Sequence, residues 1–191
     1  MGAIFMCKIF VDDNWEEMSI KGEIPHLGYY QRYRLPDGTV NPEFRKDRIS
    51  GRILDLKQKD ELAINYFFAQ IDPEIERNNI TICVVPSHES GQHNDSGMAI
   101  LARRLANAGR IDGVDYLVRT STVDKLATGG NRDKAVHYES IELKPDVHLS
   151  GDVILLVDDV TTTGNSLNVC KDILMQNGAS RVAMFAIGQV I

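Results

Sequence analysis

Two adjacent carboxylates, Asp158 and Asp159, follow an apolar run at residues 153–157. A run of this kind is typical of a buried strand, so both carboxylates are expected at its carboxyl end. The chain then passes through a hydroxyl-rich turn and enters a helix. The turn consists of Thr161, Thr162, Thr163, Gly164, Asn165 and Ser166. Its backbone N–H groups and hydroxyls are the kind of donors that bind a phosphate at a helix N-terminus.

Two carboxylates beside a phosphate would repel it unless they bind something else. Sugar hydroxyls, which donate hydrogen bonds to carboxylates, satisfy that condition, and Gly164 allows the backbone to approach closely. The alternative is a simple helix cap, which many α/β proteins have. A cap needs one acceptor, whereas this segment has two acids, three threonines, a glycine and a serine in order. The pattern therefore favours an anion site beside a sugar site.

Residues 153–166 resemble the motif that binds 5-phosphoribosyl-1-pyrophosphate (PRPP) in type I phosphoribosyltransferases. The resemblance implies that Asp158 and Asp159 hold the ribose hydroxyls and also take part in catalysis. It implies that Val160 and the turn after it complete the site for the ribose and the 5-phosphate. It further implies displacement of pyrophosphate from C1 by an acceptor, usually a base nitrogen. Mg²⁺ would be the cofactor, bound mainly through substrate oxygens and without direct protein ligands.

Two further segments match the family's arrangement. Pro86, Ser87 and His88 follow an apolar run at residues 80–85, where the family has its pyrophosphate loop. The polar stretch 120–137 lies where the family has a flexible lid. Four cations in or beside this stretch are candidates to neutralise pyrophosphate, namely Arg119, Lys125, Arg132 and Lys134. Lys125 and Arg132 are also candidate catalytic residues. The alternative for any single one is a solvated loop charge.

From about residue 80 the sequence alternates between strand and helix patterns. Strands are predicted at residues 80–85, 116–118, 153–157 and 182–187, and helices at residues 95–108 and 163–177. This alternation predicts an α/β fold with a parallel sheet flanked by helices, which is the Rossmann-like fold of type I phosphoribosyltransferases. Ligands bind such sheets beyond the carboxyl ends of the strands, so the site is expected after Val85, Val118 and Val157.

The first third of the chain has a different pattern. Strands are predicted at residues 3–11, 31–35 and 49–56, with a turn at residues 36–38, and residues 57–77 have helical character. We therefore predict an N-terminal β-rich hood or accessory segment over residues 1–56 and a phosphoribosyltransferase core over residues 57–191.

The N-terminal third is also basic. Residues 29–59 carry eight Lys/Arg and four Asp/Glu, a balance of +4 in a chain whose net charge is −6. Aromatic side chains alternate with these cations and could stack a base or contact a nucleic-acid backbone. These are Tyr29, Tyr30, Tyr33 and Phe44, with Arg32, Arg34, Arg45, Lys46 and Arg48. Such alternation is more typical of the two faces of a hairpin, and the net negative charge argues against nucleic-acid binding.

Within the family, residues 80–191 are most similar to the ComF-like, competence-associated branch. The similarity rests on the sequence from Leu156 to Gly164 and on Asn177-Gly178-Ala179. That branch usually opens with a cysteine-rich zinc module, which this chain lacks. It also has an Arg-Gly-Phe-Asn-Gln stretch where residues 93–97 read His-Asn-Asp-Ser-Gly here.

Composition supports a globular protein of a reducing compartment. Hydrophobic residues make up 43% of the chain, and three scattered cysteines form no CxxC pair. We see no signal-peptide pattern and no apolar stretch near 18 residues, so the cytoplasm is the expected location and no membrane contact is expected. The predicted function is phosphoribosyl transfer from PRPP to a small, nucleobase-like acceptor. The alternative is a non-catalytic sensor of PRPP or a nucleotide, which would contact nucleic acid or a protein partner through its N-terminal segment. The resemblance is also compatible with a homodimer.

Overall fold

The centre of the fold is a five-stranded sheet in which all neighbouring strands run parallel. The computed structural model describes residues 9, 24–75, 79–88, 95–122 and 134–191. Within them the strands are β1 (His26–Tyr30), β2 (Ile80–Val84), β3 (Ile111–Asp112), β4 (Leu117–Arg119), β5 (Ile141–Leu143), β6 (Val153–Thr161) and β7 (Arg181–Val190). The order across the sheet is β1-β7-β6-β2-β3, and β4 and β5 form a separate antiparallel pair.

Helices cover both faces of this sheet. In the described residues they are α1 (Arg48–Lys57), α2 (Glu61–Ile71), α3 (Gly97–Asn107), α4 (Lys134–Ser140) and α5 (Asn165–Gln176). Alternate residues of β6 point to opposite faces, as expected for a strand. Leu155 and Val157 join the core cluster that contains α1, α2 and α3, whereas Ile154 and Leu156 join the cluster that contains α5. The predicted α/β class, with a parallel sheet between layers of helices, is confirmed.

Side-chain caps account for the starts of three helices. Asp47 accepts hydrogen bonds from the backbone N–H groups of Ile49 and Ser50 at the start of α1. Asp60 accepts from Ala63 at the start of α2, and the Ser96 hydroxyl accepts from Ala99 at the start of α3. Each cap satisfies a backbone donor that the first turn leaves without an intrahelical partner.

The predicted strand at residues 116–118 exists as β4, but its expected place in the parallel sheet is wrong. β4 pairs with β5, and the two-residue strand β3 occupies the place beside β2. The physical reason lies in the return from α3. Gly109 adopts φ +104° just after the helix, and the chain re-enters the sheet at Ile111. The free edge of β2 is therefore already paired before β4 begins.

Two of the strands predicted in the N-terminal third are also wrong. Residues 49–56 lie in α1, because Asp47 caps a helix whose apolar residues recur at helical spacing. In residues 31–35, Arg34 forms an isolated bridge with Val40. The turn at residues 36–38 is confirmed by the hydrogen bond of 2.9 Å from Gly38 N to Leu35 O.

Residues 24–56 contribute to the central sheet as well as to its surface. β1 pairs with β7 in parallel, and α1 packs in the same core cluster as α2 and α3. Of the strand predicted at residues 3–11, the described residues contain Ile9, which forms a parallel bridge with Ile75. The other residues of that prediction lie outside the described part of the chain. The boundary at residue 56 and the role of a hood stay predictions.

The elements predicted at residues 80–85, 95–108, 153–157, 163–177 and 182–187 are confirmed within four residues at each end. The helical character predicted for residues 57–77 is confirmed over Glu61–Ile71. Among the described residues, no helix combines the length and the apolar character that a membrane span requires.

Candidate functional site

The two predicted carboxylates lie on the central strand of the sheet, near its carboxyl end. β6 continues to Thr161, beyond the predicted end at Val157, because it stays paired with the long neighbour β7. Asp158 pairs with Ala186 and Thr161 with Gln189 in this register. The carboxylates are therefore held by sheet hydrogen bonding rather than by a loop, and both are partly buried.

The environment of this acidic pair works against full ionisation. Burial, followed by repulsion from Asp159, raises the pKa of Asp158 to about 8. The backbone N–H of Asp159 donates to Asp158 Oδ1 at 2.8 Å, and this hydrogen bond lowers the pKa, as do Lys57 and Arg119. An acid held neutral in the free protein becomes ionised more readily when hydroxyl groups donate to it. The pair is thus suited to accept hydrogen bonds from a ligand.

A lysine that sequence reasoning missed forms an ion pair with the second carboxylate. Lys57, the last residue of α1, places its Nζ 3.2 Å from Asp159 Oδ2. Burial by itself would lower the pKa of Lys57, but the attraction of Asp159, with smaller effects of Tyr30 and Asp158, raises it. Lys57 is separated from Asp159 by about half the chain, so no local pattern in the sequence indicates this contact.

The hydroxyl-rich turn forms a bend that ends at the first turn of α5. Gly164 is the residue that precedes this helix and adopts φ +74°, ψ +6°, a left-handed conformation that favours glycine. Gln189 Nε2 donates to Thr162 O at 2.9 Å, and Asn168 Nδ2 donates to Gly164 O at 2.9 Å. The carbonyl groups are thus held by the protein, and the turn leads into a helix N-terminus, which attracts anions.

A buried histidine, also missed from the sequence, contacts this turn from α4. His137 Nε2 lies 3.4 Å from Ser166 Oγ, and its side chain is buried. Within the described residues, His137 Nδ1 is buried without a hydrogen-bond partner. Burial and then the positive charge of Arg119 lower the pKa of His137. The neutral imidazole is therefore the stable form beside Ser166.

This histidine gives the protein a testable acid sensitivity. The pKa of His137 is lower in the folded protein than its ordinary 6.5, so the unfolded chain binds more protons just below that pH. The free energy of unfolding should therefore fall as the pH decreases below 6.5. We expect the free energy of unfolding of His137→Gln to fall less between pH 7.5 and pH 5 than that of the unmodified protein. Thermal unfolding over this pH range measures the difference. The exposed His148 supplies the control, His148→Gln, and an equal change in both variants would contradict the prediction.

The loop after β2 lies beside the acidic pair. Val85 N donates to Val157 O at 3.1 Å, one residue before Asp158. Arg119, at the end of β4, donates from Nε to Ser87 O at 2.5 Å and from Nη1 to Ser140 Oγ at 2.6 Å. Burial lowers the pKa of its guanidinium. Arg119 therefore ties β4 and the end of α4 to this loop, close to the position where sequence reasoning expects pyrophosphate.

The structure thus brings together most of the predicted site. The acidic pair, the turn and Ser87 lie at neighbouring strand ends, and Arg119 contacts Ser87 although β4 is outside the parallel sheet. Pro86 and His88 lie in the same loop as Ser87. Lys125 and Arg132 are outside the described residues. Lys134 begins α4, and its assignment to pyrophosphate stays a prediction, as do the ligand assignments of the other residues.

The aromatic residues of the N-terminal third are engaged mostly with one another. The rings of Tyr33 and Phe44 have centroids 5.1 Å apart, and those of Tyr30 and Phe44 are 6.5 Å apart, both edge to face. Arg34 lies 5.7 Å from the Tyr33 ring centroid. Phe44 is buried, whereas Tyr33 is 40% exposed and Tyr29 on β1 is 49% exposed. A short hairpin is present at this turn, because Leu35 N donates to Thr39 O and Asn41 N donates to Tyr33 O.

Comparison with known proteins gives matches of limited extent. No protein-family profile matches the sequence. A ribose-phosphate pyrophosphokinase from Thermoplasma acidophilum is 36% identical over 55 residues, which are 28% of this chain and 19% of that protein. This chain therefore matches less than a quarter of the length of that relative.

Several solved structures are similar at low sequence identity. Phosphoribosylpyrophosphate synthetase from Mycobacterium smegmatis gives a TM-score of 0.36 at 16% identity, covering 68% of this chain and 32% of that one. A hypoxanthine-guanine phosphoribosyltransferase from Bacillus anthracis gives 0.39 at 14% identity, covering 70% and 68%. A purine phosphoribosyltransferase from Pyrococcus horikoshii gives 0.35 at 16% identity, covering 75% and 86%.

Proposed function

We propose that the protein binds PRPP and transfers its 5-phosphoribosyl group to a nucleobase-like acceptor, with release of pyrophosphate. The proposal rests on one observation. The acidic pair, the turn and the N-terminus of α5 follow one another directly along the chain. Asp158 and Asp159 lie near the end of the central strand β6, and Gly164 turns the chain directly into α5. Carboxylates that accept from hydroxyls and amides that donate to a phosphate are thus adjacent, as a sugar phosphate requires.

The name of the Thermoplasma relative supports the same ligand class. That protein is called a ribose-phosphate pyrophosphokinase, and PRPP combines a ribose phosphate with a pyrophosphate group. Because the match spans 19% of that protein, the activity of the relative as a whole is not transferred to this chain. The ComF-like branch, which sequence reasoning favours, stays part of the proposal.

The proposed reaction breaks the bond from C1 to the pyrophosphate oxygen and forms a bond from C1 to an acceptor nitrogen. The acceptor nitrogen loses its proton to water, and pyrophosphate leaves with the electron pair of the broken bond. Asp158 and Asp159 orient the ribose, and the turn at residues 161–166 fixes the 5-phosphate, so positioning is the main contribution of the described residues. Lys125 and Arg132 belong to the proposal as residues that neutralise the leaving group.

Mg²⁺ fits this site through the chemistry of its donors. Asp158 and Asp159 are not proposed as direct ligands; their carboxylates favour a cation on the neighbouring substrate oxygens, although Lys57 already neutralises part of their charge. Most ligands would come from the oxygens of PRPP. When bound, the ion supplies positive charge to the diphosphate.

The test is calorimetric titration of the protein with PRPP and Mg²⁺, followed by a pyrophosphate-release assay with a panel of nucleobases. We expect saturable binding with one site per chain and release that depends on one class of base. Binding without release for every base would support a sensor of PRPP instead of a transferase. Absence of binding would refute the site assignment.

A further inference from the structure

Lys57 lies between Asp159 of the acidic pair and the start of α3. Its Nζ contacts Asp159 Oδ2 at 3.2 Å, and its neighbour Leu56 packs against Gly97, the first residue of α3. A Cβ added to Gly97 would lie 1.7 Å from Leu56 O, so the two backbones are in direct contact. The end of α1 therefore lies between Asp159 of β6 and Gly97, the first residue of α3.

A second ion pair lies just beyond Lys57. Lys59 Nζ lies 2.7 Å from Asp95 Oδ2, two residues before α3, and both side chains are exposed. An exposed pair contributes little to stability, so the Leu56–Gly97 contact is what holds the end of α1. The position of the Lys57 backbone is therefore set by packing, and its side chain, 41% exposed, can turn without moving the helix.

We propose that Lys57 binds the diphosphate of PRPP and thereby selects PRPP over sugar phosphates that lack this group. The inference rests on the proposed function and adds a residue to it. In the free protein Lys57 is paired with Asp159. When ribose hydroxyls donate to Asp159, the ammonium turns toward the diphosphate at C1.

Electrostatics give the reason for such a residue. PRPP places several negative charges next to two carboxylates, so binding requires a cation close to both. Lys57 already lies beside Asp159, and its raised pKa keeps it charged at neutral pH. The loop after β2 begins beside Val157, two residues before Asp159, so the proposed position of the diphosphate and Lys57 both lie next to the acidic pair.

Ribose 5-phosphate is the ligand that separates the contact of Lys57 with the diphosphate from all other contacts of PRPP. It has the same 5-phosphate and the same ribose 2′- and 3′-hydroxyls as PRPP, but a hydroxyl in place of the diphosphate at C1. A residue that acts only on Asp159 affects both ligands, whereas a residue that binds the diphosphate affects PRPP alone.

The experiment measures the dissociation constants of PRPP and ribose 5-phosphate, with Mg²⁺ present, by calorimetry. The proteins are the unmodified chain, Lys57→Gln, Lys57→Arg and the control Lys46→Gln. Lys46 is an exposed lysine whose Nζ pairs with Glu43 Oε1 at 2.6 Å. We expect Lys57→Gln to weaken PRPP binding by roughly 10- to 100-fold and to change ribose 5-phosphate binding less than about twofold, because one charge-assisted contact is lost. Lys57→Arg should recover most of the PRPP affinity, and Lys46→Gln should leave both affinities unchanged.

Three results would overturn the proposal, and they differ in what they imply. Equal weakening of both ligands by Lys57→Gln, or no weakening, would show that Lys57 does not bind the diphosphate, while PRPP binding to the unmodified chain would still support the proposed function. No PRPP binding to the unmodified chain would refute the proposed function and this inference together.

Discussion

Replacing both carboxylates of the acidic pair, Asp158→Asn with Asp159→Asn, is expected to weaken PRPP binding by roughly 100-fold or more. Each carboxylate is proposed to accept a hydrogen bond from a ribose hydroxyl. A hydrogen bond to a charged group contributes about 1.5–3 kcal/mol, so two of them account for a loss of at least this size. Asparagine has nearly the same shape, so the change removes charge and leaves the strand geometry in place. Calorimetric titration with PRPP and Mg²⁺ gives the affinity.

The control for this experiment is Asp37→Asn. Asp37 is an exposed carboxylate in the turn at residues 36–38, where it accepts from Thr39 N and Thr39 Oγ1. Its neutralisation changes the net charge by the same amount as one of the two site substitutions. An affinity equal to that of the unmodified protein in the double variant would refute the assignment of the ribose to Asp158 and Asp159.

The single change Asp158→Asn should also make the folded protein more stable at neutral pH. Burial and the charge of Asp159 raise the pKa of Asp158 from its ordinary 3.8 to about 8. Between these values the folded state holds a proton that the unfolded state has lost, so the free energy of unfolding falls as the pH rises. Asparagine does not titrate and removes this fall.

The expected gain is on the order of 1–2 kcal/mol at pH 8, or roughly 2–8 °C in Tm for a chain of this size, and it should vanish near pH 4. Thermal unfolding of both proteins from pH 4 to pH 8 measures it. A variant that gains stability while it loses PRPP affinity would show that the acidic pair is kept for binding at a cost in stability. If the Tm of the two proteins changed with pH in the same way, burial of Asp158 would not be raising its pKa, and the prediction would be contradicted.

The parts of the site that the sequence predicts are those encoded by neighbouring residues. An apolar strand, two carboxylates, a hydroxyl-rich turn and a glycine follow one another within residues 153–166, so one local pattern carries them all. The parallel sheet is predicted for the same reason, because each strand and each following helix has its own periodicity.

The residues that the sequence does not predict reach the site through tertiary contacts. Lys57 is located by the packing of α1 against α3, and His137 by the packing of α4 beside α5. Neither has a local pattern that separates it from other lysines and histidines of the chain. The position of β3 also depends on long-range strand pairing, because the segment that pairs with β2 is distant from it in the sequence.

The wrong strand at residues 49–56 has a different cause. Isoleucines at positions 49 and 53 favour a strand by composition, but their spacing, together with Leu56, is helical. Asp47 is the residue in the sequence that indicates a helix here, because aspartate is a common helix cap. In the structure its carboxylate accepts from two backbone N–H groups. Spacing and capping therefore outweigh β-branched composition in this segment.

Two glycines in helices give a stability test with opposite expected signs. Gly97→Ala would force a Cβ to within 1.7 Å of the Leu56 carbonyl oxygen, and backbone atoms cannot give way as a flexible side chain can. Gly51 lies inside α1, and a Cβ there would meet no atom within 4 Å among the described residues. Gly51→Ala should therefore stabilise the protein by about 0.5–1 kcal/mol, because alanine favours the helix.

For Gly97→Ala we expect a loss of about 3–5 kcal/mol, or roughly 6–20 °C in Tm, measured by thermal and urea unfolding of both variants. Relief of the clash requires α1 and α3 to move apart, and Lys57 follows Leu56 directly in the chain. The fraction of Gly97→Ala that stays folded should accordingly bind PRPP more weakly, whereas Gly51→Ala should bind it normally. An unchanged Tm in Gly97→Ala would show that the two backbones are not in contact. A lower Tm with unchanged PRPP affinity would instead show that the contact stabilises the fold without positioning Lys57.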